Sequence, residues 1–262
     1  MAHPDDRERY AWGFAALLLP LLVWEAIPHL VALPRGARLF FATPSQIAVA
    51  FVDLVKSGEL QRHFNISALE FLLGLGLSIA VGLPLGILLG RVRWLDDLFD
   101  PFVTTLNATP RIVWLPVLIL WLGLGVWSKV MIVFLGAVFP LLVNTYEGVR
   151  NADRVLVNVV RSFGGNAWQV ARIVVLPGAL PYVVAGLRLA IGRAILGVVV
   201  GEFFGASSGL GYMIASATSG YRADVMFAGV LVLMALSLAL TLSVQAVEAR
   251  LTRWRPEATK TF

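Results

Sequence analysis

The sequence predicts an all-α integral membrane protein of six transmembrane helices, with both termini on the cytoplasmic side. The first observation is composition. The 262 residues are 58% hydrophobic and only 14% charged, with a mean hydropathy of +0.81, whereas a soluble domain carries about 25% charged residues. The second is that the apolar residues gather into six runs, each on the scale of the roughly 20 residues a helix needs to cross a bilayer. The third is where the basic residues fall between those runs. With the N-terminus inside, the inner segments hold twelve: Arg7, Arg9, Arg91, Arg93, Arg150, Arg154, Arg161, Arg172, Arg250, Arg253, Arg255 and Lys260. The outer segments hold six: Arg35, Arg38, Lys56, Arg62, Lys129 and Arg222. An excess of positive charge marks the cytoplasmic side. The net charge of +5 is therefore a topology signal and not a nucleic-acid-binding face.

Residues 1–62 form an N-terminal segment. Its apolar run, Ala11 to Leu33, is broken by Pro20, Glu25, Pro28 and His29. The clean part, Ala11 to Trp24, has the length of a signal-peptide core, but no small-residue cleavage site follows and the preceding residues are of mixed charge, so a first membrane helix is expected. In the polar stretch that follows, Ile47, Ala50, Phe51, Leu54 and Val55 fall on one helical face. Pro44-Ser45 supplies a start signal and Gly58 a stop, which gives an amphipathic helix along the periplasmic surface.

Residues 63–250 hold the other spans. The second, Ile66 to Gly90, repeats glycine at 82, 86 and 90, leaving one helix face flat enough for a neighbour to approach closely. RVRWLDDLFDP (91–101) reads as a short turn. The third span, Phe102 to Gly123, is interrupted by Asn107, Thr109, Pro110, Arg111 and Pro116. Its prolines free carbonyls that need partners in protein or in a wet cavity. Arg111 within a span costs about 2.5–3.5 kcal/mol unless it faces the bundle interior or snorkels. This segment is expected to line a solute path, with Asn107, Thr109, Arg111 and Trp114 as candidates. LGLGVWSK is a tight turn, and Val130 to Glu147 is the fourth span. The fifth, Leu180 to Phe204, adds Arg188, Arg193 and Glu202 to the path candidates. Arg188 and Glu202 share a face but lie ~21 Å apart at 1.5 Å per residue, so they cannot pair. A Gly/Ser-rich stretch (205–222) leads to the sixth span, Val225 to Val247, and residues 251–262 form a basic cytoplasmic tail.

Between the fourth and fifth spans lies the polar stretch Arg150 to Pro181, long for a loop of a compact protein. Val155, Val159 and Phe163 make an apolar stripe, Gly164-Gly165 break it, and Ala167, Val170 and Val174 begin a second stripe ahead of Pro177 and Pro181. Two short helices joined by a sharp reversal are expected, glycine being suited to positive φ.

This stretch resembles the EAA loop of ABC-importer permeases. That motif runs Glu-Ala-Ala, three residues, Gly, nine residues, Ile, one residue, Leu-Pro. Here the positions hold Asn158-Val159-Val160, Gly164, Val174 and Leu176-Pro177, with Arg161, Ser162, Phe163 and Gly165 about the turn. Gly and Leu-Pro match, Val174 replaces Ile conservatively, and the triplet departs. RSFGGNAW, VVLPGALPYVVAGLRLAIGRA, GEFFGASSGLGY and LNATPRIVWLPVLILWLGLG look like the nitrate/sulfonate/taurine-type subfamily, over roughly Pro44 to Trp254. The resemblance implies a type I ABC importer (MetI-like) permease fold in a bacterial inner membrane. It also implies a homodimer, two P-loop ATPase subunits gripping the loop, and a periplasmic substrate-binding protein facing 34–65 and 205–222.

What the chain lacks bears on this. A Walker A motif needs lysine after glycine, but Lys56, Lys129 and Lys260 follow Val, Ser and Thr, so nucleotide hydrolysis is expected on another polypeptide. There is no cysteine, and His3, His29 and His63 stand without ligand spacing, so no metal or cofactor site is expected. An ion-coupled secondary transporter using Arg111, Arg193, Glu147 or Glu202 is the alternative, although no inverted repeat supports it.

Overall fold

The computed structural model describes residues 4–31, 34, 36 and 39–251, and these are helical throughout apart from turns. The expected tail, with Arg253, Arg255 and Lys260, and the loop residues Arg35 and Arg38 lie outside the described residues.

Helix α1 (Pro4–Leu30) leads to α2 (Pro44–Lys56), the expected amphipathic helix, which buries Ile47, Ala50 and Leu54. Thr43 caps α2 in a capping box with Gln46. Glu25 adds a second cap from α1: it accepts from Ser45 N at 3.0 Å and Ser45 Oγ at 2.6 Å. The carboxylate that interrupts the first apolar run is thus used at a helix N-terminus, where negative charge is favoured. Gly58, at φ 75°, ends this unit and starts α3 (Glu59–Arg91). That helix begins seven residues before the expected Ile66. It is 33 residues long, ~50 Å at 1.5 Å per residue, so it outruns a ~30 Å hydrocarbon core.

The stretch 91–101, expected as a turn, breaks only at Val92, extended at φ −120°, ψ 97°, and is otherwise helical. It forms most of the first part of α4 (Arg93–Ala108), whose proline, Pro101, falls inside the helix. The chain then breaks at Thr109-Pro110, makes a 3₁₀ turn (Arg111–Trp114) and continues as α5 (Leu115–Leu122), bent by 92° from α4. The residue before a proline is held out of the α region, and Thr109 is extended at φ −70°, ψ 128°. The expected irregular span is therefore two helices at a right angle.

The core is a three-helix layer. α6 (Val126–Arg150) lies between α3 and α8 (Ala167–Gly205) and buries two thirds of its most apolar stretch. Small residues permit this. A Cβ at Gly86 would meet Leu142 O and Thr145 Cβ, both at 2.7 Å, and one at Gly186 would meet Asn144 Cβ at 2.9 Å. The glycine stripe at 82, 86 and 90 does face a neighbour, α6.

α7 (Arg154–Ser162) and the start of α8 form the loop between α6 and the membrane part of α8. Pro177 and Pro181, expected to stop one helix and start the next, do not break the chain: α geometry resumes at Leu176 with Pro177 in its first turn. A π turn at Ala171–Val175 widens the helix, and α8 runs from Ala167 to Gly205. A π turn already leaves carbonyls without i→i−4 partners, so prolines just beyond it remove little. α9 (Leu210–Ser219) then packs between α8 and α10 (Ala223–Leu251). Among the described residues four helices are long and apolar enough to cross a membrane: α3, α6, α8 and α10. The bent pair α4–α5 makes a fifth candidate.

Candidate functional site

Three places on this frame gather polar or exposed groups that packing alone does not require. The first is the loop 150–177. Asp153 caps α7, accepting from Val155 N at 2.7 Å and Leu156 N at 3.4 Å. Val155, Leu156 and Val159 are exposed along α7, and Phe163 at its end is 88% exposed. Gly164 then reverses the chain at φ 80°, where an L side chain is strained. Gly165 has ordinary φ and is needed for room instead: a Cβ there would lie 2.6 Å from Val160 O. Asn166 and Gln169 form a capping box for α8, and Trp168 within it is 64% exposed. Asn158, Arg161 and Ser162 are exposed and Val160 is half-buried at the turn; Val174 is buried, Leu176 exposed. Asp96 of α4 binds Arg150 Nη1 and the Tyr146 hydroxyl, each at 2.7 Å, and this anchors the end of α6 from which the loop departs.

The second place is mid-bundle. Arg111 packs over Gly136 of α6 beside the backbone of Arg193, and its Nε donates to Leu135 O at 3.2 Å. Among the described residues no acceptor reaches its enclosed Nη2. Arg111 and Trp114 line one apolar cavity of about 220 Å³ with Leu118, Trp121, Met131 and Phe139. The other path candidates are elsewhere. Asn107 faces a separate pocket with Asp96, Asp100 and Glu147. Thr109 bonds its own helix at Thr105 O, and Arg188 pairs with Glu248 of α10.

The third place was missed by sequence reasoning except for Glu202. In the first half of α3, the first turn of α6 and the last turn of α8, Glu70, Lys129 and Glu202 are 2%, 2% and 1% exposed. The carboxyl groups of Glu70 and Glu202 meet, with the Lys129 ammonium close enough to act on both. Lys129 Nζ also donates to Leu124 O and, at 3.0 Å, to Gly125 O. Ser67 Oγ donates to Glu202 Oε1 at 2.5 Å and accepts from Leu210 N at 2.8 Å. Glu202 Oε2 accepts from Gly211 N at 2.6 Å, and His63 Nδ1 from Gly209 N at 2.9 Å. The signal was present in the sequence: His63, Ser67 and Glu70 lie at i, i+4 and i+7 on one helix face, and a charged residue in an apolar run marks function by default.

A helical bundle with membrane-length spans, a long exposed loop and buried ionic side chains defines a multi-pass membrane component. The chain belongs to the binding-protein-dependent transport system inner membrane components, the family whose description matches residues 82–253. It is 37% identical over 252 residues to the Bacillus subtilis (strain 168) protein SsuC, whose name assigns it to aliphatic sulfonates transport as a permease; the match covers 95% of this chain and 90% of that one. It is 29% identical over 250 residues to the taurine transport system permease protein TauC of Escherichia coli (strain K12), covering 94% and 90%. Among solved structures, an inward-facing conformation of the MetNI methionine ABC transporter superposes with a TM-score of 0.64 at 21% identity, over 71% of this chain and 93% of that one, a likeness of fold. The protein is thus an ABC-transporter permease of the sulfonate/taurine-like subfamily, seated in the inner membrane.

Proposed function

We propose that the chain forms half of a transmembrane pathway that imports a small anionic solute, a sulfonate, taurine or a similar compound, using ATP hydrolysed by a separate cytoplasmic subunit. The observation that carries the coupling is the apolar face of α7. Val155, Leu156, Val159 and Phe163 stand exposed on a capped, fixed helix, a state that costs free energy unless a partner covers it. Burying one such side chain contributes about 1.5–3 kcal/mol, and an apolar helix face fits a groove on a partner. Two P-loop ATPase subunits, one for each copy in a homodimer, would take the two loops. A periplasmic binding protein would deliver the solute at 34–65 and 205–222.

In this reading six spans place both termini in the cytoplasm, α1 being the first and α4–α5 the third. Residues 1–62 are an accessory segment, 63–250 the permease domain and 251–262 the tail. Anion selectivity would rest on Arg111 and Arg193, side by side at mid-bundle with a buried donor to spare, and the names of the sulfonate and taurine relatives agree with that chemistry.

The test is co-purification. With P-loop ATPases co-expressed, affinity capture of this chain is expected to recover one in fixed ratio, and Phe163→Asp to abolish recovery while the chain still inserts. Failure to recover any ATPase, together with uptake that follows an ion gradient, would replace this reading by a secondary transporter.

A further inference from the structure

We infer that Glu202, Ser67 and His63 clamp α9 to the outer end of α8, so that a protein docked outside moves the cytoplasmic end of α8 through one continuous rod. The inference rests on the importer reading above and assigns a role to residues that it leaves unused.

The clamp is a helix cap supplied by other helices. The first amides of a helix have no partners within it. Here three successive ones, Gly209, Leu210 and Gly211, are taken by His63 and Ser67 of α3 and Glu202 of α8. Glu202 brings an acceptor oxygen to the N-terminus of α9, where the amides need one. Backbone and side chains fit together tightly. Gly209 has φ 116°, and a side chain there would occupy the place of the Glu202 carboxylate; one at Gly211 would come within 3.0 Å of it. The far face of α9 and the turn after it leave Ser216, Ser219 and Tyr221 exposed.

Stability alone does not account for this cluster. Desolvating charged groups often cancels what their pairing returns, and apolar replacements serve packing as well or better. Ionisable groups within spans are costly and tied to function. Glu202 is 1% exposed, so it does not meet a solute here. What it does meet is α9, and it stands three residues from the end of a helix that starts in the loop at Ala167. That helix is 39 residues long, ~58 Å at 1.5 Å per residue, and α9 and the loop sit at its two ends. Positioning α9 on that rod is the role we assign.

The experiment uses the whole complex in proteoliposomes: this chain, its ATPase and its periplasmic binding protein. Glu202→Gln keeps the volume but leaves one acceptor oxygen where two are used, by Gly211 N and by Ser67 Oγ; Ser67→Ala deletes one hydroxyl. Complex yield and basal ATP hydrolysis are expected to stay unchanged, while stimulation by the binding protein falls by about tenfold, the scale of a lost buried charged hydrogen bond. The double variant should be no worse than the worse single, because the two groups act as a unit, and Glu202→Asp should recover part of the stimulation. Unchanged stimulation overturns the clamp, as do basal rate and yield falling in proportion, or additive losses. If Glu202→Gln does not accumulate, Ser67→Ala decides alone. A wild-type complex that no binding protein stimulates overturns the importer reading and the clamp with it.

Discussion

Gly76 and Gly86 sit on the same helix, yet one added methyl should act oppositely on them. At Gly86 a Cβ would collide with Leu142 O and Thr145 Cβ at 2.7 Å; at Gly76 nothing lies within 4 Å. Gly86→Ala is expected to destabilise the purified protein by about 1–3 kcal/mol, the cost of overpacking a fitted contact. Gly76→Ala should be neutral or gain up to about 1 kcal/mol from helix propensity. Thermal unfolding in detergent checks both, and equal shifts would mean that α3 and α6 do not pack through this face. The face itself was legible in the sequence, because glycine repeating every four residues can have only one geometric meaning on a helix. Glu70 and Lys129 were not read. Glu70 shares a helix face with His63 and Ser67, but Lys129 and Glu202 stand in distant stretches of chain, and only folding brings α3, α6 and α8 together around them.

At the scale of elements, the sequence marked turns well and continuations poorly. Gly164 was expected at positive φ and has it, since the stripe Val155, Val159, Phe163 must end somewhere and glycine follows at once. The run of α8 through Pro177 and Pro181 was not legible. A proline normally ends a helix, and the π turn that disarms it has no composition of its own. The 92° bend at Thr109-Pro110 was half legible, as an irregular span whose direction nothing in the residue pattern specified. One element invites a direct test. α7 has nine residues, too few to be stable by itself in water, and depends on Asp153 at its N-cap. Asp153→Ala is expected to cost about 1 kcal/mol of helix stability. In the importer reading that lowers ATPase capture about fivefold without touching membrane insertion. Asp153→Asn, which keeps the capping oxygen, should restore capture. Capture unchanged in the alanine variant would mean that the partner orders α7 regardless of its cap.

For the whole molecule the open quantity is how many times the chain crosses, and parity decides it. α3, α6, α8 and α10 with the bent α4–α5 pair make five crossings, which would leave the termini on opposite sides. If α1 crosses as well, the number is even and both ends share the cytoplasm. The apolar part of α1, Leu18–Leu30, is short for a span, yet the charge asymmetry across the loops favours both ends inside. The chain contains no cysteine, so single introduced cysteines report their side of the membrane without background. Asp5→Cys, Ser162→Cys and Ala249→Cys are expected to react with a membrane-impermeant maleimide only after permeabilisation, and Ser219→Cys in intact spheroplasts. Labelling of Asp5→Cys alone from outside would take α1 out of the bilayer and leave the rest of the topology standing. Reversal of Ser162 and Ser219 would be graver. It would put the α7 loop outside, where no ATP-driven partner can reach it, and turn the clamped helix α9 inward. The importer reading, the coupling role of Phe163 and the outer clamp all depend on that one polarity, which the distribution of arginines supports before any of them is tested.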